Sequence, residues 1–248
     1  MCHDGFVDPL DLREKGGLRN GVPQTSDRRL FMQFLGFGGA GSSGAGITEL
    51  IAALEASDLS AVLYEDMNDP NGVGLLTWSD DPSFFISSVR PLFQRDAGPL
   101  ATLTFKPEYT MIGRTYALGH EPNLEDWLLQ QAPKRVTDPE WPWAVWYPLR
   151  RKGEFNALSP EDQMGVLREH GKIGHSFGES GLALDVRLAS FGMDKNDNDF
   201  VIGLIGKELH PLSACVQAMR RTRQTATLME HMGPFFVGKV IWARNRQR

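Results

Sequence analysis

The sequence predicts an α+β protein made of two successive β-α-β-β-α-β halves. Three observations carry this. Apolar runs of strand length alternate with segments of helical apolar spacing, and the same order occurs twice along the 248 residues. In each half the second and third runs are joined by a tight-turn signal, so they should pair antiparallel. A stretch rich in proline and polar residues separates the halves. The expected organisation is an N-terminal arm over 1–27, a first half over 28–114, a linker over 115–141 and a second half over 142–248. This element order is that of the ferredoxin-like split unit, and two such units could fuse with their sheets facing each other.

In the first half, 29–37 has the length and apolarity of a strand. Ile47, Leu50, Ile51 and Leu54 recur at helical spacing over 46–57. Ala61–Tyr64 is a short strand, Asp69-Pro70-Asn71-Gly72 a turn, and Val73–Trp78 the next strand. Asp81-Pro82 opens a helix with Phe85, Ile86, Val89 and Phe93 on its core face, and a last strand starts at Leu100 and runs on through Met111-Ile112.

The second half starts with a strand over Trp143–Tyr147. Ser159-Pro160-Glu161-Asp162 then begins a helix, with a serine cap, proline at the first position and acids in the first turn. Residues 183–191 alternate as a strand, Asn196-Asp197-Asn198 turns the chain, and Phe200–Ile205 returns. His210-Pro211 opens a helix carrying Leu212, Cys215, Val216 and Met219, and Phe235–Trp242 closes the half. The Asp194–Asp199 run resembles a calcium loop but lacks its glycine and closing glutamate, so a turn is expected.

Residues 36–46 read GFGGAGSSGAG and contain G-x-G-x-x-G between a strand and a helix, the layout of a dinucleotide-binding fingerprint. That fold needs a crossover helix after its second strand. The Asp-Pro-Asn-Gly hairpin signal stands there instead, so the glycines are expected to form a strand-to-helix loop.

Bulk properties narrow the classes further. A net charge of −5 gives no global positive field for nucleic acid. No run of about 20 apolar residues suggests a membrane span. The first residues lack a basic start and apolar core, and the two cysteines, Cys2 and Cys215, form no framework or metal pair. A cytoplasmic protein acting on a small molecule is expected.

The helix from Ser159 carries the candidate centre. Val166, His170, Ile173 and Phe177 share one stripe, whereas His175 is turned about 140° from His170. His170 should be buried and His175 exposed. Two readings of His170 stand: a hydrogen-bonded core histidine, or a neutral imidazole in an apolar pocket, as an axial metal ligand requires.

The passages Trp143-Ala-Val-Trp-Tyr147-Pro-Leu-Arg-Arg151, Leu158-Ser-Pro-Glu161, Leu167-Arg-Glu-His170-Gly, Ser190-Phe-Gly-Met-Asp194 and Asp199-Phe-Val resemble the chlorite dismutase family. Met219-Arg220 and Gly233–Gly238 are similar too. That family includes chlorite dismutases and coproheme decarboxylases. The resemblance implies an α+β barrel of two ferredoxin-like halves, assembly as a ring, often a pentamer, and a haem (haem b or coproheme) in the C-terminal half. It implies His170 as the iron ligand, Arg151 and Arg135 as propionate partners, and Tyr147 as the radical relay of a coproheme decarboxylase, where chlorite dismutases usually carry an aliphatic residue. The distal position falls on Asp185 or, by a small register change, on Arg187; the two share one strand face and could equally form a surface ion pair. The family's glutamate behind the histidine has no match in Thr222-Arg-Gln-Thr-Ala226, and its aromatic pair is replaced around Phe155-Asn156. The expected activity is peroxide-dependent oxidative decarboxylation of haem propionates, in haem biosynthesis. The alternatives are chlorite or peroxidase chemistry on haem b, and a non-catalytic haem carrier or sensor.

Overall fold

The computed structural model describes residues 10–40, 45–93 and 103–246. A hairpin comes first, of β1 (Glu14–Arg19) and β2 (Val22–Ser26). The first half follows as β3 (Phe31–Gly38), α1 (Ala45–Ala56), β4 (Ala61–Asp66), β5 (Val73–Ser79), a π-helical turn (Phe85–Val89) running into α2 (Arg90–Phe93), and β6 (Thr104–Arg114). Between the halves lie α3 (Leu124–Asp126), a second π-helical turn (Trp127–Gln131) and α4 (Ala132–Val136). The second half is β7 (Trp143–Arg151), α5 (Gly153–Ala157), α6 (Pro160–Glu179), β8 (Leu184–Ala189), β9 (Phe200–Gly206), α7 (Leu209–Met219), α8 (Arg223–Thr227), β10 (Met229–Met232) and β11 (Phe236–Arg244).

The expected β-α-β-β-α-β order is present in both halves. The main sheet runs β10-β7-β11-β4-β5-β3-β6-β8-β9, and β9 pairs back onto β7. Every pairing is antiparallel. Each half contributes a ferredoxin-like sheet, β6-β3-β5-β4 and β11-β7-β9-β8. They join at β4–β11 and at β6–β8, where one pair, Arg114 with Ala189, makes the seam. The two sheets thus form one closed barrel. β5 lies between β3 and β4, so no parallel neighbour stands beside the glycine-rich loop and a dinucleotide crevice cannot form there. Residues 41–44 of that loop lie outside the described residues.

Closure divides every strand by its pleat. Phe34, Tyr64, Leu76, Met111, Trp146 and Phe236 point inward and fill the barrel, where the Phe34 and Phe236 rings lie 4.7 Å apart. The intervening residues point outward and meet the helices. In the second half this outer face carries Val145, Tyr147 and Leu149, packed with Leu212 and Cys215 of α7.

The sequence reading is corrected in two regions. The segment read as an arm holds the β1–β2 hairpin, turned by Asn20 and Gly21 at φ 53° and 79°. Its residues are polar on both faces, so it has no hydrophobic period, and hydrogen bonds hold it instead. The Gln24 amide donates to the Gly17 and Glu121 carbonyls and accepts from the Leu124 N–H. The segment read as a linker is helical, and Leu124, Leu128, Ala132 and Val136 at i+4 spacing cap one end of the core. Pro133 reads as a breaker, yet the π-helical turn just before it lets the helix continue to Val136. The Asp194–Asp199 run is a hydrogen-bonded turn, with Asp194 accepting from the Asn196 and Asn198 backbones.

A Cβ on Gly203 would lie 2.5–2.8 Å from three carbons of the Trp146 ring. Gly203→Ala should therefore destabilise the barrel by about 1–3 kcal/mol through overpacking. Urea unfolding should give a lower midpoint at unchanged slope; an unchanged midpoint contradicts this packing.

Candidate functional site

The site lies between the outer face of β7-β9-β8 and helix α6. The register sets that face out in rows. Tyr147 is opposite Ile202, and Ile202 is opposite Arg187. Tyr147 and Arg187 therefore share a face two strand spacings apart, about 9.5 Å. One row along, Leu149, Phe200 and Ala189 align; on the other side, Val145, Leu204 and Asp185 do.

Helix α6 starts where expected. Ser159 caps it, its hydroxyl accepting from the Asp162 N–H at 3.1 Å. It packs chiefly against α7, α8 and the outer strand β8. His170, Ile173 and Phe177 on its inner stripe are half-buried, and so are Phe200, Ile202 and Arg187 on the sheet. The inner stripe of α6 and the sheet residues near it are thus largely apolar and only partly covered. His175 is exposed, as the helix period requires.

His170 is held from behind by α8. Its Nδ1 lies 3.2 Å from the hydroxyl of Thr222, the buried cap residue of α8. That hydroxyl donates its one proton to the Met219 carbonyl at 2.8 Å. Towards His170 it presents a lone pair, so Nδ1 carries the ring proton and Nε2 keeps its own lone pair. Burial, then the nearby Arg151 and Arg187 cations, pull the His170 pKa below its ordinary value. The imidazole is thus neutral, with one nitrogen free to coordinate. Among the described residues no three His, Cys, Asp or Glu side chains converge on a metal-ion site. A metal bound by His170 would have to bring its other ligands with it.

Arg151, at the end of β7, lies between two aromatic rings, 4.5 Å from the Phe155 centroid and 4.7 Å from that of Phe200. Its Nε is buried with no hydrogen-bond partner. Burial lowers its pKa, with Tyr116 and Asp199 opposing. A guanidinium desolvated in this way is a strong site for a carboxylate.

Arg187 and Arg135 are already engaged. The Arg187 Nε pairs with an Asp185 carboxylate oxygen at 2.8 Å. Arg135 Nη1 donates to the Asp185 carbonyl and lies 3.5 Å from its carboxylate. Asp185 gathers both arginines, and Arg135 also sits over the Trp127 ring at 5.9 Å. Arg150, beside Arg151, points away and pairs with Asp197 at 2.7 Å.

Tyr147 is buried and stacked on Phe235, centroids 4.5 Å apart and planes 20° apart. Burial first, then Cys215 and Asp185, raise its pKa, so the phenol stays protonated. The Cys215 thiol is itself pushed up to about 11 by burial.

The charges of Arg151, Arg187 and Asp185 reach His170, Asp185 holds Arg135, and Tyr147 is buried on the same outer sheet face as Arg187, packed with α7 and Phe235. Sequence reasoning missed Thr222 as the partner of His170, because a threonine among polar residues carries no signal until α8 docks on α6. It missed Tyr116, a half-buried tyrosine within reach of the Arg187 and Arg151 charges. It also missed the two rings around Arg151, although Phe155 stands where the sequence departs from the expected aromatic pair.

Comparison with known proteins agrees with this architecture. The barrel is similar to a haem-binding protein from Thermus thermophilus, with a TM-score of 0.64 at 17% identity over 88% of this chain and 92% of that one. It is similar to the chlorite dismutase from Candidatus Nitrospira defluvii solved with imidazole, with a TM-score of 0.65 at 14% identity over 87% and 92% of the two chains. No curated protein sequence matches the chain. The family profile described as chlorite dismutase matches residues 108–241, more than half of the sequence and the whole of the cleft. The chain belongs to the chlorite dismutase family.

Proposed function

We propose that this chain is a haem-dependent oxidoreductase that removes carboxyl groups from tetrapyrrole propionates, as a coproheme decarboxylase does. The observation that carries this reading is Tyr147, a protonated phenol on the same sheet face as Arg187, whose charge reaches the His170 imidazole held by Thr222 through its other nitrogen.

The residues present suit a haem. His170 would hold the iron through Nε2, the apolar walls would take the macrocycle, and Arg151 would pair with a propionate. Arg135 would join as a second propionate partner on release from Asp185. When bound, haem supplies a site for peroxide reduction and so a two-electron oxidant. The chain's own residues direct that oxidant. Tyr147 gives up its hydroxyl hydrogen as an electron and a proton, and recovers it from a propionate carbon. Loss of carbon dioxide and of a second electron then leaves a vinyl group. For each propionate, one peroxide and one proton yield carbon dioxide and two waters. Phe235, stacked on Tyr147, keeps water from the ring during this exchange.

A second reading, chlorite or peroxidase chemistry on haem b, needs a free cation above the iron to steady an anion. Arg187 is the only sequence candidate, and the Asp185 carboxylate neutralises it. This favours decarboxylation. A haem carrier remains the reading to which a catalytically silent Tyr147 would lead.

Three measurements test the proposal. With coproheme and peroxide, mass spectrometry should show loss of carbon dioxide from the wild type and at least a ~100-fold slower loss from Tyr147→Phe, a tyrosine-dependent step being of that order; equal rates would remove Tyr147 from the chemistry. Arg151→Ala should weaken coproheme binding by about 10-fold or more, the worth of a charge-assisted hydrogen bond; unchanged affinity contradicts the propionate assignment. The third concerns pH. His170 has a lowered pKa, so the unfolded apo chain binds a proton there before the folded one does. Its contribution to stability is complete above about pH 6.5 and is lost as the pH falls towards the lower folded-state value. Urea midpoints of the apo protein should drop through that window, and those of His170→Gln should drop less; identical profiles contradict a buried neutral imidazole.

A further inference from the structure

We infer that Thr222 is the positioning residue for His170, and that it acts as a neutral acceptor which fixes the ring tautomer without giving the ring anionic character. The inference rests on the reading of His170 as the haem ligand and specifies the electronic state of that ligand.

A hydroxyl has one hydrogen to give. Thr222 gives it to the Met219 carbonyl at 2.8 Å, a shorter contact than the 3.2 Å to His170 Nδ1. The Thr222 N–H also donates to that carbonyl, at 3.1 Å, so the hydroxyl is anchored from both sides of its residue. As the cap of α8 it accepts from the Thr225 N–H at 3.4 Å. Its rotamer is set by the helix end, and the lone pair turned to His170 is a built feature of the α6–α8 contact.

The carboxylate nearest in sequence is turned elsewhere. Glu169 accepts from the Arg223 N–H at 3.1 Å and so helps to hold the first turn of α8. A carboxylate accepting from a ligand histidine makes it more basic and more strongly donating; a hydroxyl orients the ring with little added basicity. An iron held here should therefore have a higher reduction potential and a softer bond to histidine than one backed by a carboxylate.

Nitrogen-15 NMR of the apo protein labelled at histidine tests the tautomer directly and without haem. His170 should be protonated at Nδ1 in the wild type and in Thr222→Ser, which keeps both the cap and the acceptor. Thr222→Val should shift the population towards the Nε2-protonated form common in free imidazole. An Nε2-protonated wild type, or a Thr222→Val tautomer equal to the wild type's, overturns the inference. On the haem-loaded protein, Thr222→Asp should lower the reduction potential and raise the iron–histidine stretching frequency. No change in either overturns the electronic part. A wild type that binds no haem but shows the Nδ1 tautomer would overturn the proposed function while leaving the Thr222–His170 contact standing.

Discussion

The closure of two antiparallel sheets into one barrel is the constraint on which the rest of this molecule depends. Once β4 has paired with β11 and β6 with β8, each strand has one face committed to the interior. Neighbours in sequence then have opposite fates: Trp146 is locked among the core aromatics, and Tyr147 is delivered to the outer face beneath the helices. A shift of one residue in β7 would exchange them and destroy the core and the cleft together. The precision of the site is thus inherited from the packing of the barrel, whose interior rings leave room at Gly203 for nothing larger than hydrogen.

Charge is distributed unevenly over that outer face. Asp185 pairs with Arg187 and engages Arg135, so on that side two cations share one carboxylate. Arg151 is left between two rings with an unpaired buried nitrogen, and the low local dielectric makes its demand for an anion large. On the α6 side a neutral imidazole is aimed by a neutral hydroxyl. The site therefore combines an oriented imidazole lone pair with several arginines, Arg151 held between two rings, a polarity suited to a flat apolar ligand with an acidic edge.

Much of this was legible in the sequence, for physical reasons that differ by element. The strands and main helices carry strict periods, and the hairpin signals between the second and third strands of each half indicated the antiparallel topology. The stripe Val166, His170, Ile173 and Phe177 places the histidine on the inner face of α6 by spacing alone. What stayed hidden had no period. The β1–β2 hairpin is held by Gln24 and not by an apolar face; its Asn20-Gly21 turn was the available signal. The helical segment between the halves was masked by Pro133, although its leucines kept i+4 spacing. Thr222 and Asp185 took on meaning only through contacts between elements distant in sequence, which local pattern does not encode.

The proposed role of His170 is to present its Nε2 lone pair to a haem iron, and an optical titration of the apo protein with haem b is the decisive experiment. The expected result is a saturable shift of the Soret band at one haem per chain, lost in His170→Ala and restored when that variant is given exogenous imidazole. The absence of a shift in the wild type, or the same shift in His170→Ala, would contradict it.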